Sequence, residues 1–222
     1  MNNDFNLDSF VPRFLNALAE TGIMVSIAFF AGAILGIIMG LMLYATRPGN
    51  LLQNRFVFAI LNFIINIVRP VPFLIVAIAL IPVTRMVFGT ALGPLPATLP
   101  LILVASVAIA RVAESNLIAV DPGTIEAGAA MGASPARILF TIVIPEALGP
   151  LVLSLTYILV ALVDATAVAG VIGGGGLGDM AMRYGYARFD WITVFIIVIV
   201  LILLVQLAQW LGNRIARKVM HR

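Results

Sequence analysis

Residues 121–145 read DPGTIEAGAAMGASPARILFTIVIP, a run with two helix starts separated by a stop. Asp121 is a good N-cap with Pro122 at the first helical position, and Glu126 follows in the early turns, where a carboxylate complements the helix dipole. Gly132 suits the left-handed conformation that ends a helix, after which Ser134 and Pro135 supply a second cap and first turn. The spacing predicts helix, sharp bend, helix. The first helix is built largely from Ala, Gly, Ile and Met, with Ile125 and Ala129 on one face, and has few side chains large enough to form a core of its own. A helix this short and smooth suits a groove in another protein. The other use, lying on a bilayer surface, favours a basic polar face with bulky aromatics, and this helix has neither.

Outward from this run the chain is strongly apolar. Of its 222 residues 62% are hydrophobic and 10% charged, and the mean hydropathy is +1.14; a soluble domain is about 45–50% apolar and about 25% charged. The excess has to face lipid. Five stretches have the length of a span: roughly Thr21 to Tyr44, Phe56 to Val83, Pro96 to Ala119, Ala147 to Val171 and Trp191 to Leu211. The expected fold class is an all-α membrane protein, one domain over residues 1–222 with five transmembrane helices, the 121–145 loop joining the third and fourth.

An odd number of spans puts the termini on opposite sides. Arg47 and Arg55 lie between the first two spans, Arg111 and Arg137 are assigned between the third and fourth, and Arg214, Arg217, Lys218 and Arg222 lie at the C-terminus. The positive-inside rule makes these segments cytoplasmic. The outer side then holds the N-terminus, the Arg85 to Leu95 connection and the glycine-rich stretch running to Asp190. Asp4 and Asp8 precede the first arginine, Arg13, so the positive n-region of a cleavable signal is missing and the first span reads as permanent. The net charge of +3 is explained by this topology, leaving no reason to invoke a nucleic acid. Without cysteine there is no disulfide, iron–sulfur or thiol chemistry, and the single histidine, His221, sits in a basic tail with no partner cluster, so no metal site is expected.

Within the first span Ala28, Gly32, Gly36 and Gly40 recur every four residues, a face that lets another helix backbone approach closely, either inside the chain or across a homodimer. In the second, Asn62, Asn66 and Arg69 share a helical face, and Pro70 and Pro72 then interrupt the ladder, so a break is expected there. Counted from Arg55, Arg69 lies about 21 Å along the helix. Facing lipid at that depth costs about 2.5–3.5 kcal/mol. Such a residue more often faces a cavity or a partner. Asp164, late in the fourth span, is the candidate partner; the alternative has Arg69 snorkelling and Asp164 at the outer interface. Asn62, Asn66, Arg69, Pro70, Pro72, Tyr157 and Asp164 are the pathway candidates.

Glu126, Ala127, Gly128, then Gly132 six residues after the glutamate, then Ile142, Ile144 and Pro145 resemble the EAA motif of ATP-binding-cassette importer permeases, with Gly128 in place of the second alanine and Ile144 in place of leucine. Over roughly Arg69 to Asp190, the runs RPVPFLIVAIALIPVTRMVFGT, ARVAE, GGGGLGD and YGYARFD are similar to the methionine-importer permease subunits of that family. The resemblance implies a coupling helix held in a cleft of a nucleotide-binding subunit, with Asp121, Glu126, Ala127, Gly128, Ala129, Met131, Gly132, Ala133, Ile142, Ile144 and Pro145 as the coupling residues. It further implies a homodimer in the bacterial inner membrane, a cytoplasmic ATPase dimer that holds the ATP and Mg, no cofactor on this chain, and an extracytoplasmic lipoprotein or periplasmic protein delivering methionine. No Walker P-loop occurs in the sequence, so ATP hydrolysis is expected on another polypeptide.

Other readings compete for the glycines. Gly173, Gly175 and Gly178 satisfy GxGxxG, but no strand precedes them. Gly173, Gly174, Gly175, Gly176 and Gly178 form either an outer hinge or a tightly packed backbone. The run Gly176 to Asp179 also matches the GxGD of intramembrane aspartyl proteases, which need a second aspartate, here Asp164, to share a proton. A secondary transporter or channel is the remaining alternative, although inverted repeats common in such folds are not visible.

Overall fold

The structure, a computed structural model, describes residues 7–50 and 52–220; Asp4, His221 and Arg222 lie outside the described residues. No strand occurs among the described residues. The helices are α1 (Leu7–Thr46), α2 (Arg55–Val68), α3 (Phe73–Ala79), α4 (Ile81–Phe88), α5 (Pro94–Ile118), α6 (Pro122–Ala130), α7 (Pro135–Ile138), α8 (Ile144–Ala169), α9 (Gly176–Met180) and α10 (Trp191–Met220), with π-helical turns at Leu139–Val143, Gly170–Gly174 and Ala181–Tyr186. Helix α1, helix α5, the stretch Pro135–Gly174 and helix α10 are each long and apolar enough to cross a membrane, and the pair α2 and α3, counted as one broken span, brings the number to five. The all-helical, five-span expectation therefore holds.

Several boundaries move. Helix α1 begins at Leu7 rather than near Thr21, and α10 runs on to Met220. The second span starts where expected, because the Asn54 side chain accepts from the Phe56 and Val57 N–H groups at 3.1 and 3.2 Å. It stops at Val68, as Pro70 and Pro72 require, and resumes at Phe73. Beyond Ala79 it does not continue to Val83: Pro82 opens the separate helix α4, which ends on Gly89 at φ +74°. Pro145 does not end the loop either. The helix runs from Pro135 through Gly174, and the wide turn Leu139–Val143 lets it continue past a residue with no N–H to donate.

By contacts the chain divides into two compact units, one of Met1–Ala31, Val71–Val104 and Leu159–Ala208, the other of Gly32–Pro70, Ala105–Ile158 and Gln209–Arg222. In the first, Ala17, Leu177, Met180 and Ile197 form a core flanked by Phe10, Phe14 and Leu18. The glycine run belongs here and is packed rather than loose. A Cβ on Gly170 would lie 2.7 Å from the Gly175 carbonyl oxygen, and one on Gly178 would strike the Ala167 backbone. Gly173, Gly175 and Gly176 have φ of +97°, +80° and +78°. The Gly176 N–H donates to Glu20 Oε2 at 2.6 Å and the Leu177 N–H to Thr21 Oγ1 at 2.9 Å. In this conformation Gly173, Gly174, Gly175, Gly176 and Gly178 are closely packed, and left-handed glycines bring these amides onto α1.

In the second unit the small-residue face of α1 meets α5. A Cβ on Gly36 would lie 2.6 Å from Ile109 Cβ and 2.7 Å from the Ser106 carbonyl oxygen, and one on Gly40 would lie 2.6 Å from Ala113 Cβ. Gly32, Gly36 and Gly40 are thus committed inside the chain, which overturns the homodimer use of their face. Leu43, Ile65, Val107 and Ala110 extend the same seam to α2.

Candidate functional site

The 121–145 loop folds as its capping residues predict. Asp121 accepts the Gly123 N–H at 2.9 Å and opens α6; Met131 closes it; Gly132 adopts φ +78°; Ser134 accepts the Arg137 N–H at 3.3 Å and opens α7. Nothing lies within 4 Å of where a Gly132 Cβ would be, so this glycine is required by the backbone conformation of the bend and not by space. The backbone closes the bend through Ala133 N–H to Gly128 O at 3.2 Å and Gly132 N–H to Ala129 O at 2.9 Å.

Helix α6 has two faces. Glu126, Ala127, Ala129 and Met131 are exposed, Met131 at 81%. The opposite face carries Ile125, Gly128 and Ala133, and it rests on a core of Tyr44, Ala45, Leu117, Val120, Ile138, Leu139, Val143 and Ala147, with Ile142 and Ile144 packed against it. Gly128 is buried because a Cβ there would lie 2.7 Å from Ile142 Cδ1. Ile125 and Ala129 therefore do not share the outward face: Ile125 belongs to the chain's own core, which the side chains of α1, α5 and the 138–147 segment provide. Pro145 is exposed at the start of α8. The outward surface consists of small side chains and Met131 around the Glu126 carboxylate.

Beside this seat lies a charge cluster absent from the sequence-derived site. Glu114, 3% exposed on α5, accepts from Arg111 Nη1 at 2.7 Å and has Arg47 Nη1 at 3.9 Å. Arg111 Nη2 donates to Asn62 Oδ1 at 2.9 Å and Asn66 Oδ1 at 2.8 Å. One guanidinium thus ties α2 to α5, and one carboxylate ties α5 to the end of α1. Arg111 is not a loop cation marking the cytoplasmic side; it is half-buried within a span, paired three residues before its carboxylate. Asn62 and Asn66, both among the pathway candidates, are engaged by it here. An arginine and a glutamate at i and i+3 inside an apolar stretch is the sequence signal that could have found the cluster.

Arg69 closes α2 and is exposed, as are Pro70, Pro72, Tyr157 and Asp164, and neither Arg69 nor Asp164 makes an ion pair among the described residues. Asp179 receives Arg183 Nε at 2.6 Å, an i, i+4 pair that commits this carboxylate to an arginine and not to a second aspartate. The amides that a phosphate would need at the glycine run are taken by Glu20 and Thr21, which disposes of the dinucleotide reading.

Residues 18–221 match the family described as the binding-protein-dependent transport system inner membrane component. The chain is 43% identical over 208 residues, 94% of its length and 92% of the relative's, to the probable D-methionine transport system permease protein MetI of Vibrio cholerae. It is 38% identical to the methionine import system permease protein MetP of Bacillus subtilis, over 78% of each chain. A solved structure of the MetNI methionine ABC transporter in an inward-facing conformation superposes with a TM-score of 0.92 at 36% identity, covering 96% of this chain and 99% of that one. A bent two-helix loop seated on the ends of α1 and α5, five apolar spans and these likenesses agree: the chain belongs to the family of inner-membrane components of binding-protein-dependent transport systems.

Proposed function

We propose that this chain is the permease subunit of an ATP-driven methionine importer. Two copies enclose the pathway, an ATPase dimer holding ATP and Mg lies against the cytoplasmic loops, and an extracytoplasmic lipoprotein or periplasmic protein hands over the substrate. The loop carries this reading: a helix whose inner face is fixed to the chain's own core and whose outer face, Glu126, Ala127, Ala129 and Met131, is bare. Closure of the ATPases displaces that face. Because Gly132 sets a fixed bend and α7 runs on into α8 without a break, the displacement reaches the fourth span as a rigid movement. Methionine as substrate draws on the names of the relatives and on chemistry: a zwitterion with an apolar thioether suits a path with few charges, for which Arg69, Tyr157 and Asp164 are the exposed polar side chains.

ATP-dependent uptake of labelled methionine by vesicles holding the reconstituted complex, with a panel of amino acids competing, tests both parts. Uptake that needs ATP but ignores unlabelled methionine retains the permease and discards the substrate. Uptake that proceeds without an ATPase and follows an ion gradient discards both.

A further inference from the structure

On the side where charge bias should leave few cations, two of them meet on one ring. Arg13, on α1 ahead of its apolar stretch, brings its guanidinium carbon to 5.1 Å from the Tyr184 ring centroid, and Arg188, ahead of α10, brings its own to 4.8 Å. Both arginines are exposed, and neither pairs with a carboxylate among the described residues. Close to Arg188 in sequence, Asp179 is engaged by Arg183 and Asp190 by the Thr193 N–H and hydroxyl. A cation–π contact places two like charges side by side and neutralises neither.

The surroundings are rich in exposed aromatic rings. Tyr186, Phe189 and Trp191, close to Arg188 in sequence, are all exposed. Phe189 is the one described residue other than glycine with a positive φ, +56°, an uncommon conformation for a bulky side chain. It is held there by the Phe189 N–H to Tyr186 O at 3.2 Å and the Asp190 N–H to Gly185 O at 2.9 Å, and Gly185 in turn lies too close to Val194 to admit a Cβ. A fixed backbone thus presents Arg188 and Phe189 together at the end of a span. We propose that Arg13, Tyr184 and Arg188 bind the phosphate of an anionic phospholipid headgroup, with Phe189 and Trp191 seated in the interfacial layer. The guanidinium forks match phosphate oxygens, and the aromatic rings occupy the depth where such rings collect. Free phosphate shares the oxygens but leaves the aromatics without an apolar partner.

The assembled transporter, titrated with phosphatidylglycerol and phosphatidylcholine of equal acyl length and read by native mass spectrometry, tests this. Wild type should prefer phosphatidylglycerol about thirtyfold, the value for two cations at a charged headgroup. Arg13→Ala with Arg188→Ala should bring the two lipids to near parity, whereas lysine at both positions should keep most of the preference. Arg13→Gln and Arg188→Gln singly, each expected to lower the preference about fivefold, carry the test if the double variant does not fold. Near parity in wild type, or an unchanged preference in the alanine variant, overturns the site. Displacement of the lipid by inorganic phosphate overturns it in favour of a free-ion site. Loss of binding-protein docking in the alanine variant with lipid preference intact overturns it in favour of a protein contact.

Discussion

Gly128 and Gly132, four residues apart, do opposite jobs, and substitution separates them. Gly132 has φ +78° with open space around it, so its replacement is judged on backbone conformation alone. Asparagine tolerates the left-handed region and valine does not. Gly132→Val should therefore uncouple ATP hydrolysis from uptake while the chain still inserts, and Gly132→Asn should retain most coupling; the ratio of uptake to hydrolysis in reconstituted vesicles reads both. Gly128 has ordinary helical geometry, and its constraint is the tip of Ile142, 2.7 Å from a new Cβ. That tip can rotate away, so Gly128→Ala should cost no more than about 1 kcal/mol, and Ile142→Val should relieve it, as thermal unfolding in detergent would show. The need for Gly132 was legible from sequence because a left-handed stop is local and encoded by its neighbours. The burial of Ile125 was not, because the surfaces that cover it, Tyr44 and Leu117 among them, come from distant parts of the chain.

At the scale of helices, the contacts that hold the seat of the loop are polar and steric at once. Glu114 is a buried carboxylate whose charge is met by Arg111 at 2.7 Å. Removing one member leaves the other uncompensated, so Glu114→Ala should destabilise by about 3 kcal/mol, while Arg111→Met combined with Glu114→Met should cost clearly less than the two single changes added together. Additivity in that double-mutant cycle, measured by unfolding, would remove the pair from the account of how α1, α2 and α5 are joined. Along the same seam, Gly36→Ala forces a methyl against the Ser106 carbonyl oxygen at 2.7 Å, backbone that cannot turn aside; a loss of about 1–3 kcal/mol is expected. The every-fourth-residue glycines announced a close helix approach in the sequence, but not which helix. The break at Pro70 and Pro72 was legible because proline acts locally, whereas the engagement of Asn62 and Asn66 by Arg111 depends on a residue well over forty positions away.

For the molecule as a whole, hydropathy exposed the spans because lipid, unlike water, admits few polar interruptions, and their ends blurred where helices continue into the interface, as α1 does at Leu7 and α10 at Met220. The orientation rests on arginine bias, and one member of that count, Arg111, proved to be a half-buried ion-pair partner within a span. The topology therefore needs a test that does not depend on charge. The absence of cysteine makes single introduced thiols unambiguous reporters. Met131, 81% exposed on the loop, and Leu92, 65% exposed on the segment between α4 and α5, are each accessible and lie on the two sides assigned. Met131→Cys should react with a membrane-impermeant maleimide in inverted vesicles and not in intact cells, and Leu92→Cys should do the reverse. If α6 is the surface that the ATPase covers, the Met131→Cys reaction should also slow when the ATPase is bound, while Leu92→Cys is indifferent to it. Labelling of Met131→Cys from the outside would reverse the orientation and, with it, the identity of the side on which force enters the chain.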